Sequence, residues 1–250
     1  MIQEEKIKCC IKELIDNDIE FYDYETPKGS KELRVNISKY LTKKLNININ
    51  ENNMIITSGT QQSLYLISRI LLNNNDTIVS EEPTYFGAIE IFKELKVNIL
   101  TVNINKNGID LDELKKKIYI DKPKLIYVVP TFNNPTGISW NNSKRKKFLD
   151  IINKHNITVI EDDPYSEFNY TNYEYKSLYE LNKGKNIIYL GTFSKIICPY
   201  LNVGYVLADK ELIDKLYRYK LLNDMNTSAF IQKFVNLYLT KYNIEEDIIN

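Results

Sequence analysis

Short apolar runs alternate with amphipathic stretches along most of this chain, and that alternation narrows the possible folds more than any other feature. The runs are "MIIT" (54–57), "TIVS" (77–80), "VNILTVNI" (97–104), "LIYVV" (125–129), "TVIE" (158–161), "IIYL" (187–190) and "VGYVLA" (203–208). Between them, "KELRVNISKYLTKKL" (31–45) puts Leu33, Ile37, Tyr40 and Leu41 on one helical face. Further helices are expected over "SGTQQSLYLISRILL", "TYFGAIEIFKEL", "LDELKKKI", "SKRKKFLDIINKHN", "KELIDKLYRYKLL" and "SAFIQKFVNLYLTKY". Strands alternating with helices form a mostly parallel sheet with helices on both faces. Near-continuous apolar strands are those covered on both sides. The expected class is therefore α/β, a mostly parallel mixed sheet sandwiched by helices. There is no internal repeat or low-complexity linker, and residues 1–250 are expected to form one domain. Ligands of such folds bind at the carboxyl ends of the strands. The loops after "MIIT", "TIVS", "LIYVV", "TVIE" and "IIYL" are thus expected to converge on one place.

Charge and cysteine content narrow the function classes. Lys plus Arg number 33 and Asp plus Glu number 33, so the net charge is zero. A balanced chain has no electrostatic reason to hold nucleic acid or an acidic membrane surface. The cysteines are Cys9, Cys10 and Cys198, which make neither a disulfide framework nor a zinc pattern, and no metal is expected. They point to a reducing compartment. The start, "MIQEEKIKCCIKELIDNDIE", has no apolar core of a signal peptide. No window approaches the roughly eighteen apolar residues of a membrane span. The expected location is cytoplasmic.

The strand-end loops carry the chemistry. After "MIIT", Ser58, Gly59, Thr60 and Gln61 open a helix, where free N–H groups suit a phosphate; an ordinary N-cap is the plain alternative. After "TIVS", Tyr85 could stack on a flat ring or lie in the core. After "LIYVV", Asn134 is pinned by Pro135 and Gly137, either as a turn former or to aim its amide at an oxygen. After "TVIE", Asp162 ends a covered strand, where a carboxylate is costly unless paired; a cationic partner is expected, and N-capping of the following turn is the plain alternative. Tyr165 follows on the same loop. After "IIYL", Thr192 and Ser194 precede Lys195, which sits between a hydroxyl-rich turn and an apolar segment and is expected to be buried or half-buried. His155, before a strand and away from these loops, reads as a helix-end residue. An amine, an acid, an Asn, two phenols and a phosphate-type helix start together describe a pyridoxal phosphate site.

The motifs "TSGTQQSL", "EEPTYFG", "NNPTG", "EDDPYSEF" and "TFSK", in that order, resemble the class I/II aminotransferases, fold type I pyridoxal phosphate enzymes. The resemblance covers nearly the whole chain. Within that group it is similar to the branch of aminoadipate and aromatic aminotransferases and the C-terminal domains of MocR regulators. It implies the large cofactor domain and a transaminase that moves an amino group between an amino acid and a 2-oxo acid. Lys195 then forms the Schiff base and acts as general base, and Asp162 pairs with the pyridinium nitrogen. Asn134 and Tyr165 donate to the ring oxygen, and Tyr85 stacks on the ring. Gly59, Thr60, Gln61, Thr192 and Ser194 hold the phosphate. Tyr24 reaches the phosphate of a second subunit, so a homodimer is implied.

Two departures qualify the resemblance. Asn202 in "PYLNVGYV" stands where the family pattern carries a phosphate-binding Arg. The family's chains also continue into a small domain bearing the Arg that clamps the substrate carboxylate, and nothing after Tyr242 reads as that domain. The four arginines, Arg34, Arg69, Arg145 and Arg218, all fall in expected helices. Weak transaminase activity of this chain alone is expected. A non-catalytic or split cofactor-binding module is the alternative, and a lyase or decarboxylase is a third reading.

Overall fold

The computed structural model describes residues 2–16 and 24–244. In chain order the first elements are α1 (Ile2–Asp16), α2 (Lys31–Leu45), β1 (Met54–Thr57), α3 (Gly59–Leu71), β2 (Thr77–Glu82) and α4 (Phe86–Glu94). Next come β3 (Asn98–Asn105), β4 (Gly108–Ile109), α5 (Leu111–Asp121), β5 (Leu125–Val128), α6 (Asn142–His155) and β6 (Thr158–Asp162). The last are α7 (Leu178–Leu181), β7 (Ile187–Thr192), β8 (Gly204–Leu207), α8 (Lys210–Asn223) and α9 (Ala229–Lys241). Contacts divide the chain into two units: Met1–Thr60 with Thr192–Asn250, and Gln61–Gly191.

The first unit is built on an antiparallel pair. Strands β1 and β8 run from Met54 opposite Leu207 to Thr57 opposite Gly204, and every residue of both is buried. Helix α2 spans the expected residues because both of its ends are specified. Ser30 Oγ caps it by accepting from Leu33 N, and Asn46 closes it in the left-handed conformation. Its inner face buries Leu33, Ile37, Leu41 and Leu45. Each such side chain contributes roughly 1.5–3 kcal/mol of transfer free energy.

The second unit holds the parallel strands, in the order β7-β6-β5-β2-β3-β4. All neighbours are parallel except β3 and β4, whose antiparallel ladder pairs Ile104 with Ile109. Register decides what this arrangement presents. Ser80 lies opposite Tyr127, Val128 opposite Glu161, and Asp162 opposite Leu190. The carboxyl ends of β2, β5 and β6 are therefore neighbours, and so are the loops that leave them. The α/β class with a mostly parallel, mixed set of strands is as expected.

Several boundaries differ from the sequence reading. Helix α4 begins at Phe86, because Tyr85 stays extended as its N-cap (φ −61°, ψ 117°). The short strand β4, the one-turn α7 and helix α1 carry no strong periodic signal, and none was expected. Among the described residues, no helix is long and apolar enough to cross a membrane.

Candidate functional site

Asp162, the last residue of β6, is only 3% exposed. Its Oδ2 accepts the Tyr127 hydroxyl at 2.7 Å, while its Oδ1 is buried without a hydrogen-bond partner. Within the chain its partner is a phenol. Burial pushes the Asp162 carboxyl up to about 7; the Tyr127 bond works against the rise and the charge of Asp163 adds to it. A desolvated carboxylate with one bare oxygen is an incomplete pair. It would be completed by a cationic N–H donor.

Tyr165 and Tyr85 share this neighbourhood, both half-buried. The Tyr165 phenol is raised by burial and by the Asp162 charge, with a hydrogen bond to Asn134 opposing. Tyr85 is raised by burial, then by Asp162 and Tyr165. The loops after β2, β5 and β6 therefore bring Tyr85, Asn134, Asp162 and Tyr165 together. The turn carrying Tyr165 is fixed by Asp163, which accepts from Ser166 Oγ and from the Tyr189 hydroxyl, both at 2.6 Å. Tyr85 donates to Gln61 Oε1 at 3.1 Å, and Gln61 Nε2 donates to Gly87 O at 3.3 Å. Gln61, read from sequence as a phosphate-loop residue, here holds the Tyr85 phenol.

The Asn134 loop is held by two buried charges that sequence reasoning did not single out. Glu81, in β2, accepts Val129 N at 2.7 Å and Asn133 Nδ2 at 3.2 Å on Oε2, and Trp140 Nε1 at 3.0 Å on Oε1. Arg145, in α6, donates to Trp140 O (2.9 Å), Pro130 O (2.8 Å), Thr131 Oγ1 (2.9 Å) and Lys176 O (3.1 Å). Within the loop, Gly137 N donates to Asn133 O at 2.6 Å, with Gly137 at φ +71°. The signal that could have found Glu81 is the one that found Asp162: a carboxylate in the covered part of a strand.

Loops of the first unit carry the remaining residues. Thr192 ends β7, and its Oγ1 donates to Val203 O at 2.9 Å and accepts Ser194 N at 3.1 Å. Ser194 Oγ is buried with no partner. Lys195 follows on an exposed turn, which corrects the expectation of burial. Phe193, Ile196 and Ile197 turn inward and supply the apolar packing, which leaves the lysine to face solvent. Gly59 opens α3 at φ +82°, a conformation that disfavours any side chain, and a Cβ there would collide with the Asn202 side-chain oxygen. Asn202 is itself left-handed (φ 46°, ψ 46°) and exposed. The "TSGT" and "PYLNVG" turns thus face one another. Thr60 is half-buried in the first turn of α3, and Ser58 Oγ meets Thr227 Oγ1 at 3.3 Å. Tyr24 is 84% exposed.

All four arginines lie in helices, and the buried Arg34 donates to Gly29 O and Glu51 O. His155 is the last residue of α6. Among the described residues no group of three or more His, Cys, Asp or Glu side chains could hold a metal ion.

Residues 3–246 match the family described as "Aminotransferase class I and II". Aromatic-amino-acid aminotransferase 1 of Thermococcus litoralis is 34% identical over 214 residues, which are 84% of this chain and 51% of that protein. The uncharacterised HTH-type transcriptional regulator YisV of Bacillus subtilis is 28% identical over 225 residues, 90% of this chain and 46% of that one. Among solved structures, Pyrococcus horikoshii kynurenine aminotransferase superposes with a TM-score of 0.92 at 33% identity, covering 98% of this chain and 62% of that one. The chain spans about half the length of the curated relatives it matches.

Proposed function

Because the chain belongs to the class I and II aminotransferase family, we propose that it binds pyridoxal 5'-phosphate covalently at Lys195 and transfers an amino group between an amino acid and a 2-oxo acid. The observation that carries this reading is the bare, buried Oδ1 of Asp162, flanked by Tyr85, Asn134 and Tyr165. An acceptor for a ring N–H, two donors for a ring oxygen and an aromatic face suit a pyridine ring bearing a phenolate oxygen. The orphaned Ser194 Oγ and the N-terminal turn of α3 at Gly59 suit a phosphate.

Asp162 would hold the ring nitrogen in its protonated form, and a cation there would draw the carboxyl back down from about 7. Asn134 and Tyr165 would hold the ring oxygen, and Tyr85 the ring face. Gly59, Thr60, Gln61, Thr192 and Ser194 would serve the phosphate. The bound group supplies an electron sink conjugated to the substrate's α-carbon. Lys195 would take the proton from that carbon and return it to the group's own carbon. An exposed turn suits this, because the lysine must leave the cofactor for each substrate.

Residues 1–250 are taken as the cofactor-binding domain, acting in the cytoplasm in amino-acid metabolism. A homodimer would give the exposed Tyr24 a use at a partner's phosphate. A second reading, a cofactor-responsive module without turnover, is favoured by the similarity to YisV and by Asn202. A neutral amide gives a phosphate contact about half as strong as a charged one. The two readings separate in the visible spectrum of the cofactor-loaded protein after addition of a panel of amino acids. Conversion to the pyridoxamine form supports the transaminase. A bound but unresponsive spectrum supports the module.

A further inference from the structure

We propose that Glu81 is a positioning residue that aims the Asn134 side chain, a role that rests on reading Asn134 as a donor to the cofactor's ring oxygen. Glu81 is fully buried, and Val129 N, Asn133 Nδ2 and Trp140 Nε1, which it accepts from, are all N–H donors. Above its raised midpoint of about 7 the carboxylate is ionised and only accepts, so it matches all three at once. Val129 and Trp140 bracket the loop, and Asn133 is the immediate neighbour of Asn134. Arg145 works on the same loop through oxygens, at Pro130, Thr131 and Trp140. The division of labour is specific. Arg145 grips the loop's ends, while Glu81 also grips the side chain beside Asn134. That grip fixes the loop from which Asn134 projects beside Tyr165.

Glu81→Gln keeps the size and removes the match. One end of the amide can still accept, but the NH2 end must face a donor. In the 15N-labelled apoprotein, the Val129 amide is expected to exchange roughly threefold to tenfold faster. The Asn134 side-chain amide pair, assigned by its loss in Asn134→Ala, is expected to shift and broaden. In the cofactor-loaded protein, the pH midpoint of the visible band should move by roughly 0.5–1 unit in the direction seen for Asn134→Ala. The double variant should move it no further than Asn134→Ala alone. If Glu81→Gln fails to fold, Asn133→Ala, which removes the bond nearest Asn134, carries the same measurements. A purely structural Glu81 would speed Val129 exchange and lower Tm while leaving the Asn134 side-chain signal in place, and that result overturns the proposal. Additive shifts in the double variant also overturn it. A wild-type protein that shows no cofactor band sinks the cofactor reading instead, and the apoprotein signals still decide the role of Glu81.

Discussion

Asp162 holds one oxygen on the Tyr127 phenol and leaves the other bare at the end of a buried strand. Asp162→Asn keeps the shape and the phenol contact but removes the charge. Cofactor binding should weaken, and single-turnover conversion to the pyridoxamine form should drop by two or more orders of magnitude, since electrostatic stabilisation is commonly worth 10²–10³ in rate. Stopped-flow absorbance measures both, and turnover at the wild-type rate would remove the role assigned to Asp162. The cost of a buried charge made this residue legible in sequence. The same argument misjudged Lys195, because the packing of its turn is supplied by Phe193, Ile196 and Ile197. Glu81 escaped notice because its partners, at 129, 133 and 140, are brought near only by the register of β2 and β5.

Helices and strands with both boundary signals were readable: α2 with Ser30 and Asn46 at its ends, and β1 and β5 as unbroken apolar runs. Strand order was not, since parallel pairs join residues dozens of positions apart with no local mark. The start of α3 was legible as a Gly turn, but its confrontation with Asn202 was not. Gly59→Ala should lower Tm and abolish measurable cofactor binding, because a left-handed φ of +82° and the Asn202 oxygen both oppose a Cβ. Calorimetry and a cofactor titration would show it, and unaltered binding would mean that this turn does not serve the phosphate. At α5, Asp110 caps the helix through Asp112 N (2.9 Å) and Glu113 N (3.0 Å). Asp110→Ala should cost about 1 kcal/mol in urea denaturation and leave cofactor binding unchanged.

At the scale of the molecule, three buried carboxyls among the described residues, Glu81, Glu161 and Asp162, are each pushed up to about 7, chiefly by burial. A carboxyl raised in the folded state binds its proton more tightly there than when unfolded. Its contribution to stability is therefore present at low pH and is lost as pH rises from about 4 through 7. Apoprotein Tm should fall between pH 5 and pH 8, and a flat or rising profile over that window would contradict the assignment. Covalent cofactor attachment at Lys195 is tested by loading the protein with pyridoxal 5'-phosphate, reducing with borohydride and mapping the peptides. One label on Lys195, absent in Lys195→Ala, is the predicted result. A label on another lysine, or none at saturating cofactor, would contradict it.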